Sequence, residues 1–153
     1  MQTSNNIFDK INTIINNFLS QFDCYAEAGY DFAYHSDKNL ITYSFVVLDD
    51  FAESFPRFAE SIHPVKADIF LWSLLHEIGH HETEDDFTEE EEEEYREIAS
   101  SNISAEEYYN LPIEYAATNW AGEYMETHSA EVAQFWNELA PAIQEVYKEM
   151  EVE

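Results

Sequence analysis

His76-Glu77-Ile78-Gly79-His80 carries the spacing H-E-x-x-H. On a helix, residues i and i+4 share one face with Cβ atoms about 6 Å apart, so two imidazoles can converge on one cation. Glu77 is turned about 100° from His76. It sits near such an ion without being a natural third ligand, placed to take a proton from an activated water as general base. The chemistry implied is hydrolysis at a zinc ion (Zn2+) held by His76 and His80, with Glu77 as the catalytic base. Gly79 costs about 1 kcal/mol of helix propensity relative to Ala. Its missing side chain would let another backbone pass close to the ion.

Two carboxylates compete for the third ligand position. Asp86 lies six residues after His80, as in the extended pattern HExxHxxGxxH/D, but Thr83 stands where that pattern places its turn-forming glycine. Glu114 lies 34 residues after His80, in the first turn of a predicted helix. The face it starts continues through Ala117, Thr118 and Ala121 at i+3, i+4 and i+7. Small residues there let that helix approach closely, as metal–ligand distances of about 2 Å demand. Glu114 is therefore favoured, although an acidic residue is also common near any helix N-terminus. Hydrolysis further needs a donor for the developing oxyanion, usually Tyr, His or Arg, and none is singled out. His128 is about 21 Å from Glu114 along an unbroken helix. His81 is turned away from His80, while His35 and His63 read as surface or cap residues. Tyr115 and the tyrosines of the hairpin described next remain open.

Several elements must position these groups. Ile7, Ile11, Ile14, Ile15 and Phe18 fall at helical spacing within residues 4–22, with Ser4 or Asn5 as cap. Tyr30–His35 and Leu40–Val47, rich in aromatic and β-branched residues and separated by Ser36-Asp37-Lys38-Asn39, predict a hairpin. An edge strand beside a metal cleft can hold an extended peptide by main-chain pairing, and either strand would serve. Residues 48–61 read as a short helix or turn interrupted at Pro56. Pro64 begins a helix to about Glu82, whose stripe of Phe70, Leu71, Leu74, Leu75 and Ile78 would hold the motif against the core. Asn110-Leu111-Pro112 starts the next helix, with Asn110 as cap, running to about Glu126. Ser129 opens a last one to about Glu149, with Pro141 as a potential kink.

The chain of 153 residues suits one domain. With six Lys+Arg against 33 Asp+Glu, its formal charge is −27, which argues against binding nucleic acid through phosphates and against anionic membranes. Aromatic content of 16% argues equally against general disorder. A single cysteine, Cys24, excludes a disulfide framework and a cysteine-based zinc cluster. The first ten residues show neither a basic nor an apolar signal region, and the expected setting is a reducing, cytoplasmic one. Between Glu82 and Glu97, eleven of sixteen residues are acidic. Like charges three and four apart weaken a helix, so residues 82–109 are expected to form an acidic insertion, as a mobile loop or a weak, solvated helix. That charge reads as a solubilising face, as attraction for a basic protein or peptide substrate, or as a mimic of DNA in an interaction module with a structural or degenerate zinc site.

His76-Glu77-Ile78-Gly79-His80, followed by Glu114-Tyr115-Ala116-Ala117-Thr118-Asn119-Trp120-Ala121, resembles the ImmA/IrrE-type zinc metallopeptidases. Their pattern is HE-L/I-GH and then a helix of roughly E-x-E-A-N-x-F-A. The resemblance covers about a third of the chain. Ala116 stands where the family often has a second Glu, and Thr118 where it often has Asn. The resemblance implies Glu114 as third zinc ligand, a bacterial or phage-like setting and endopeptidase activity. The resulting expectation is a single α+β domain of minimal zincin type, mostly helical with a small sheet, hydrolysing peptide bonds.

Overall fold

Helix α1 (Gln2–Leu19) follows from its apolar periodicity: Ile7, Ile11, Ile15, Phe18 and Leu19 lie on one face and are buried. Each fully buried side chain of this kind contributes about 1.5–3 kcal/mol. The helical backbone already begins at Gln2, so Ser4 and Asn5 lie within the first turn and not at the cap; helix ends commonly differ by a residue or two from cap-based expectation. The computed structural model describes residues 2–29, 31–45, 66–104, 107–108 and 110–151. The expected turn over 48–61, Pro64, His63, Tyr30 and Val46–Val47 lie outside the described residues.

A short 3-10 turn, Ser20–Phe22, ends at Asp23 in the left-handed region (φ 58°) and leads into a three-stranded sheet of order β1-β3-β2. Strands β2 (Ala33–His35) and β3 (Leu40–Tyr43) form the expected antiparallel hairpin, pairing Tyr34 with Ile41. Asn39 takes the positive φ (50°) of its turn, a conformation that Asn tolerates better than most residues. Strand β1 (Tyr25–Ala28), not anticipated from the sequence, lies parallel to β3 with Ala26 opposite Ile41. Its outer edge is covered by α1: the Asn16 side chain accepts from Ala26 N (2.8 Å) and donates to Ala26 O (3.0 Å). The amide thus stands in for a fourth strand there, whereas among the described residues β2 forms the opposite edge.

Helices α2 (Lys66–Thr83) and α4 (Pro112–Thr127) pack directly together. Gly79 makes this possible, since a Cβ there would stand 2.9 Å from Ala117 Cα and closer still to the Ala117 carbonyl oxygen. Phe70, Leu71, Leu74, Leu75 and Ile78 of α2 are buried in the core, as are Ala117 and Ala121 of α4. Leu111, not Asn110, is the N-cap of α4, and no side chain bonds there. Pro112 at N1 presets the first turn, where a missing N–H costs nothing. Helix α5 (Ser129–Glu151) closes the core against α1 with Val132, Phe135, Leu139, Ile143 and Val146. It continues through Pro141, which is exposed.

The acidic stretch contains a 3-10 turn, Glu84–Asp86, and helix α3 (Glu89–Ala99). Of the loop and the solvated helix expected, the structure has the helix over these residues. A reciprocal capping box explains its start: Thr88 Oγ1 accepts from Glu91 N, and the Glu91 side chain accepts from Thr88 N. Four glutamates in its first turn also favour the positive end of the helix dipole. No residue of α3 is fully buried. The architecture is a small α+β domain, mostly helical with one mixed sheet. Among the described residues no helix is long and apolar enough to cross a membrane.

Candidate metal centre

Helix α2 places His76 and His80 on one face, their ring centroids 4.7 Å apart and nearly perpendicular. Helix α4 brings Glu114 onto both: its Oε1 lies 2.9 Å from His76 Nε2 and 3.2 Å from His80 Nε2. Glu114 is only 2% exposed and Glu77 only 8%. Ligating atoms of His76, Glu77 and His80 lie within 4.8 Å of one another, so this group could hold a metal ion. The Glu114 oxygen lies well inside that limit from both imidazole nitrogens and is a further candidate donor beside Glu77. Two imidazoles and a carboxylate are a donor set for a divalent metal ion, and bonds of about 2.0–2.1 Å in a tetrahedron would separate such donors by roughly 3.3–3.4 Å. The observed separations are only a few tenths of an ångström shorter.

The His76 ring is held from behind, with Thr118 Oγ1 3.0 Å from its Nδ1. A carboxylate only accepts, so a proton on His76 Nε2 faces Glu114 and Thr118 donates to Nδ1. With Nε2 on a metal, Nδ1 carries the proton and the same hydroxyl accepts it, so Thr118 serves both tautomers. Burial pushes the Glu77 carboxyl above its ordinary range, with the charge of His76 and His80 opposing it. Burial works the same way on Glu114, but hydrogen bonds from His76 and His80 outweigh it and hold that carboxyl well below the usual carboxylate range. For His80, burial disfavours the charged ring, yet the bond to Glu114 and the charge of Glu77 raise its proton affinity overall. Two carboxylates in one pocket are thus driven in opposite directions.

A cleft of about 440 Å3 opens over the set, between Ala33 and Tyr34 of β2, the histidines of α2, and Tyr95 of α3. Asp31, Glu84 and Glu92 also line it, and Arg96 is the one Lys or Arg among its described lining residues. Other candidates fall elsewhere. Asp86 is exposed in the 3-10 turn and outside the cleft lining. His81 packs edge-on against Tyr34 and pairs with Glu82 at 3.1 Å. His128 is exposed at the end of α4, stacked on Tyr124, and His35 is exposed on β2. Tyr115 is 56% exposed and does not line the cleft.

Sequence reasoning did not single out Tyr95 and Tyr108, whose hydroxyls meet at 3.0 Å in the cleft wall. The Tyr95 hydroxyl donates to Glu114 Oε2. Burial, then the Glu114 charge, raises both phenols far above their ordinary pKa, so both stay protonated. One signal for them was legible. Thr88-x-x-Glu91 is a capping box, and a helix starting there puts Glu92, Tyr95 and Ala99 on one face. No protein-family model, curated protein or solved structure matches the chain.

Proposed function

We propose that the chain is a zinc-dependent metallopeptidase of minimal zincin type, acting on a protein or peptide in a reducing, cytoplasmic setting. The observation that carries this reading is the convergence of His76 Nε2 and His80 Nε2 on one buried oxygen of Glu114, beside Glu77 and at the base of an open cleft. His76, His80 and Glu114 would hold the ion, which supplies Lewis acidity for a peptide carbonyl and acidifies a water molecule. Glu77 takes the proton of the attacking water and passes it to the leaving amine.

The two sheet edges bear on substrate placement. Asn16 occupies the outer main-chain groups of β1 at Ala26, whereas β2 is the edge that lines the cleft. An extended peptide adding to β2 would run past the histidines. The central strand β3 cannot serve, because both its sides are paired. The carboxylates of Asp31, Glu84 and Glu92 favour a basic peptide.

Elemental analysis of the wild type beside Glu114→Ala and Asp86→Ala tests the metal, with about one zinc per chain expected and lost only in the first variant. Loss only in Asp86→Ala would overturn the ligand assignment. Cleavage of a Lys/Arg-rich peptide library, read by mass spectrometry, should fall by about 10²–10⁴-fold in Glu77→Gln. The exposed glutamates of α3 favour a second reading, an acidic binder that mimics DNA. Salt-sensitive inhibition of a DNA-binding enzyme that survives Glu77→Gln, with no cleavage by the wild type, would select that reading.

A further inference from the structure

We propose that Tyr95 is a positioning residue for the metal centre: its hydroxyl holds the outer oxygen of Glu114, so that the carboxylate presents a single oxygen to the two imidazoles. This rests on the metal reading above and adds to it a role for the acidic segment. The two oxygens of Glu114 have different partners. Oε1 faces His76 Nε2 and His80 Nε2, whereas Oε2 accepts the Tyr95 hydroxyl. A carboxylate with both oxygens free can pivot and bind a cation through either or both. A charge-assisted hydrogen bond to one oxygen removes that freedom.

The direction of the hydrogen bonds follows from proton counting. Tyr95 has one hydroxyl proton, and the carboxylate can only accept it. Tyr108 lies 3.0 Å from the Tyr95 hydroxyl and is itself hydrogen-bonded to Glu114, so both phenols crowd the outer side of the carboxylate. Tyr95 does not belong to the hydrophobic core cluster, and its helix has no fully buried residue. Core packing therefore does not explain where its ring is held. The cleft wall and the carboxylate do.

Competition titrations of the full chain against a chromophoric zinc chelator test this with wild type, Tyr95→Phe and Tyr124→Phe. Tyr124 is the matched control: its hydroxyl also meets a carboxylate, that of Glu131, but away from the site. Zinc affinity should fall by about 10–100-fold in Tyr95→Phe and stay at the wild-type value in Tyr124→Phe. Loaded with cobalt(II), Tyr95→Phe should give an altered visible spectrum and Tyr124→Phe a superimposable one. Circular dichroism of the chelated variants checks that the fold persists. If Tyr95→Phe does not fold, the wild type alone decides through zinc-difference infrared spectra. A wide splitting of the carboxylate stretches marks binding through one oxygen and supports the proposal; a narrow splitting overturns it. Equal affinities and spectra for wild type and Tyr95→Phe also overturn it, as does equal weakening in both variants. A wild type that takes up neither zinc nor cobalt brings down the metal reading itself, and this inference with it.

Discussion

The helix pair α2–α4 and the helix α3 surround the same cleft but are held in opposite ways. In the pair, two buried faces meet with backbone on backbone at Gly79 and Ala117, and the apolar stripe of α2 is fixed in the core. Helix α3 has no buried residue, carries adjacent like charges, and is held by its capping box and by Tyr95 at the site. Close packing gives positional precision, because interiors resist changes of even a methylene. Surface helices held by a few polar contacts open at lower free energy. The three candidate donors sit on the precise pair, and the solvated helix contributes a hydrogen bond to one of them.

Removing metal should break this contrast most strongly. A ligand at a thousand times its dissociation constant stabilises the fold by about 4 kcal/mol, so chelation should lower the melting temperature measurably. An unchanged transition after confirmed metal removal would contradict the site. Next comes Gly79→Ala. The new methyl meets the backbone of α4, which has no rotamer to yield with. Overpacking of this kind costs about 1–3 kcal/mol, against the ~1 kcal/mol that Ala gains in helix propensity. The denaturation midpoint should fall and zinc binding should weaken with it; a stabilised variant would show that the two helices are not in close register.

Acid should probe the pair in the metal-free protein. The Glu114 carboxyl is lowered from its ordinary value of 4.5 in the folded state. Its contribution to stability is therefore complete above that value and is lost as pH falls toward the folded one. Relief of the overall negative charge works in the opposite direction, so the informative quantity is the difference between wild type and Glu114→Gln. That difference should shrink as pH drops below 4.5; a constant gap would show that Glu114 is not held as an anion. The smallest effect belongs to Thr88→Ala. Loss of the cap costs about 1 kcal/mol, roughly a fivefold change in an opening equilibrium. Amide exchange should quicken along Glu89–Ala99 and stay unchanged in α2 and α4. A uniform change across all three would mean that α3 is part of the same cooperative unit.

Helical periodicity placed the H-E-x-x-H residues on α2 and its apolar stripe in the core, because three- and four-residue spacings reflect the local geometry of a helix. The small residues after Glu114 similarly announced a close helix contact, and the structure brings that carboxylate onto both histidines. Repulsion between neighbouring glutamates left the acidic run open between a loop and a weak, solvated helix, whereas the capping residues Thr88 and Glu91 encode the start of α3 within it. Strand β1 is not legible because it spans only Tyr25-Ala26-Glu27-Ala28 and its one buried residue, Ala26, is an alanine, which signals no strand.

What the amino-acid order determined by itself was therefore the periodic face of each long helix, the two-histidine register and the glycine that permits a close crossing. Only the tertiary structure decided which sheet edge borders the cleft, since that depends on β2 packing beside α2, while Asn16 of α1 covers the other edge at Ala26. It alone also brought Tyr95 to Glu114, nineteen residues further along the chain. Periodicity is written in neighbouring residues, whereas meetings of this kind depend on how separate segments pack, and short-range patterns carry no record of that.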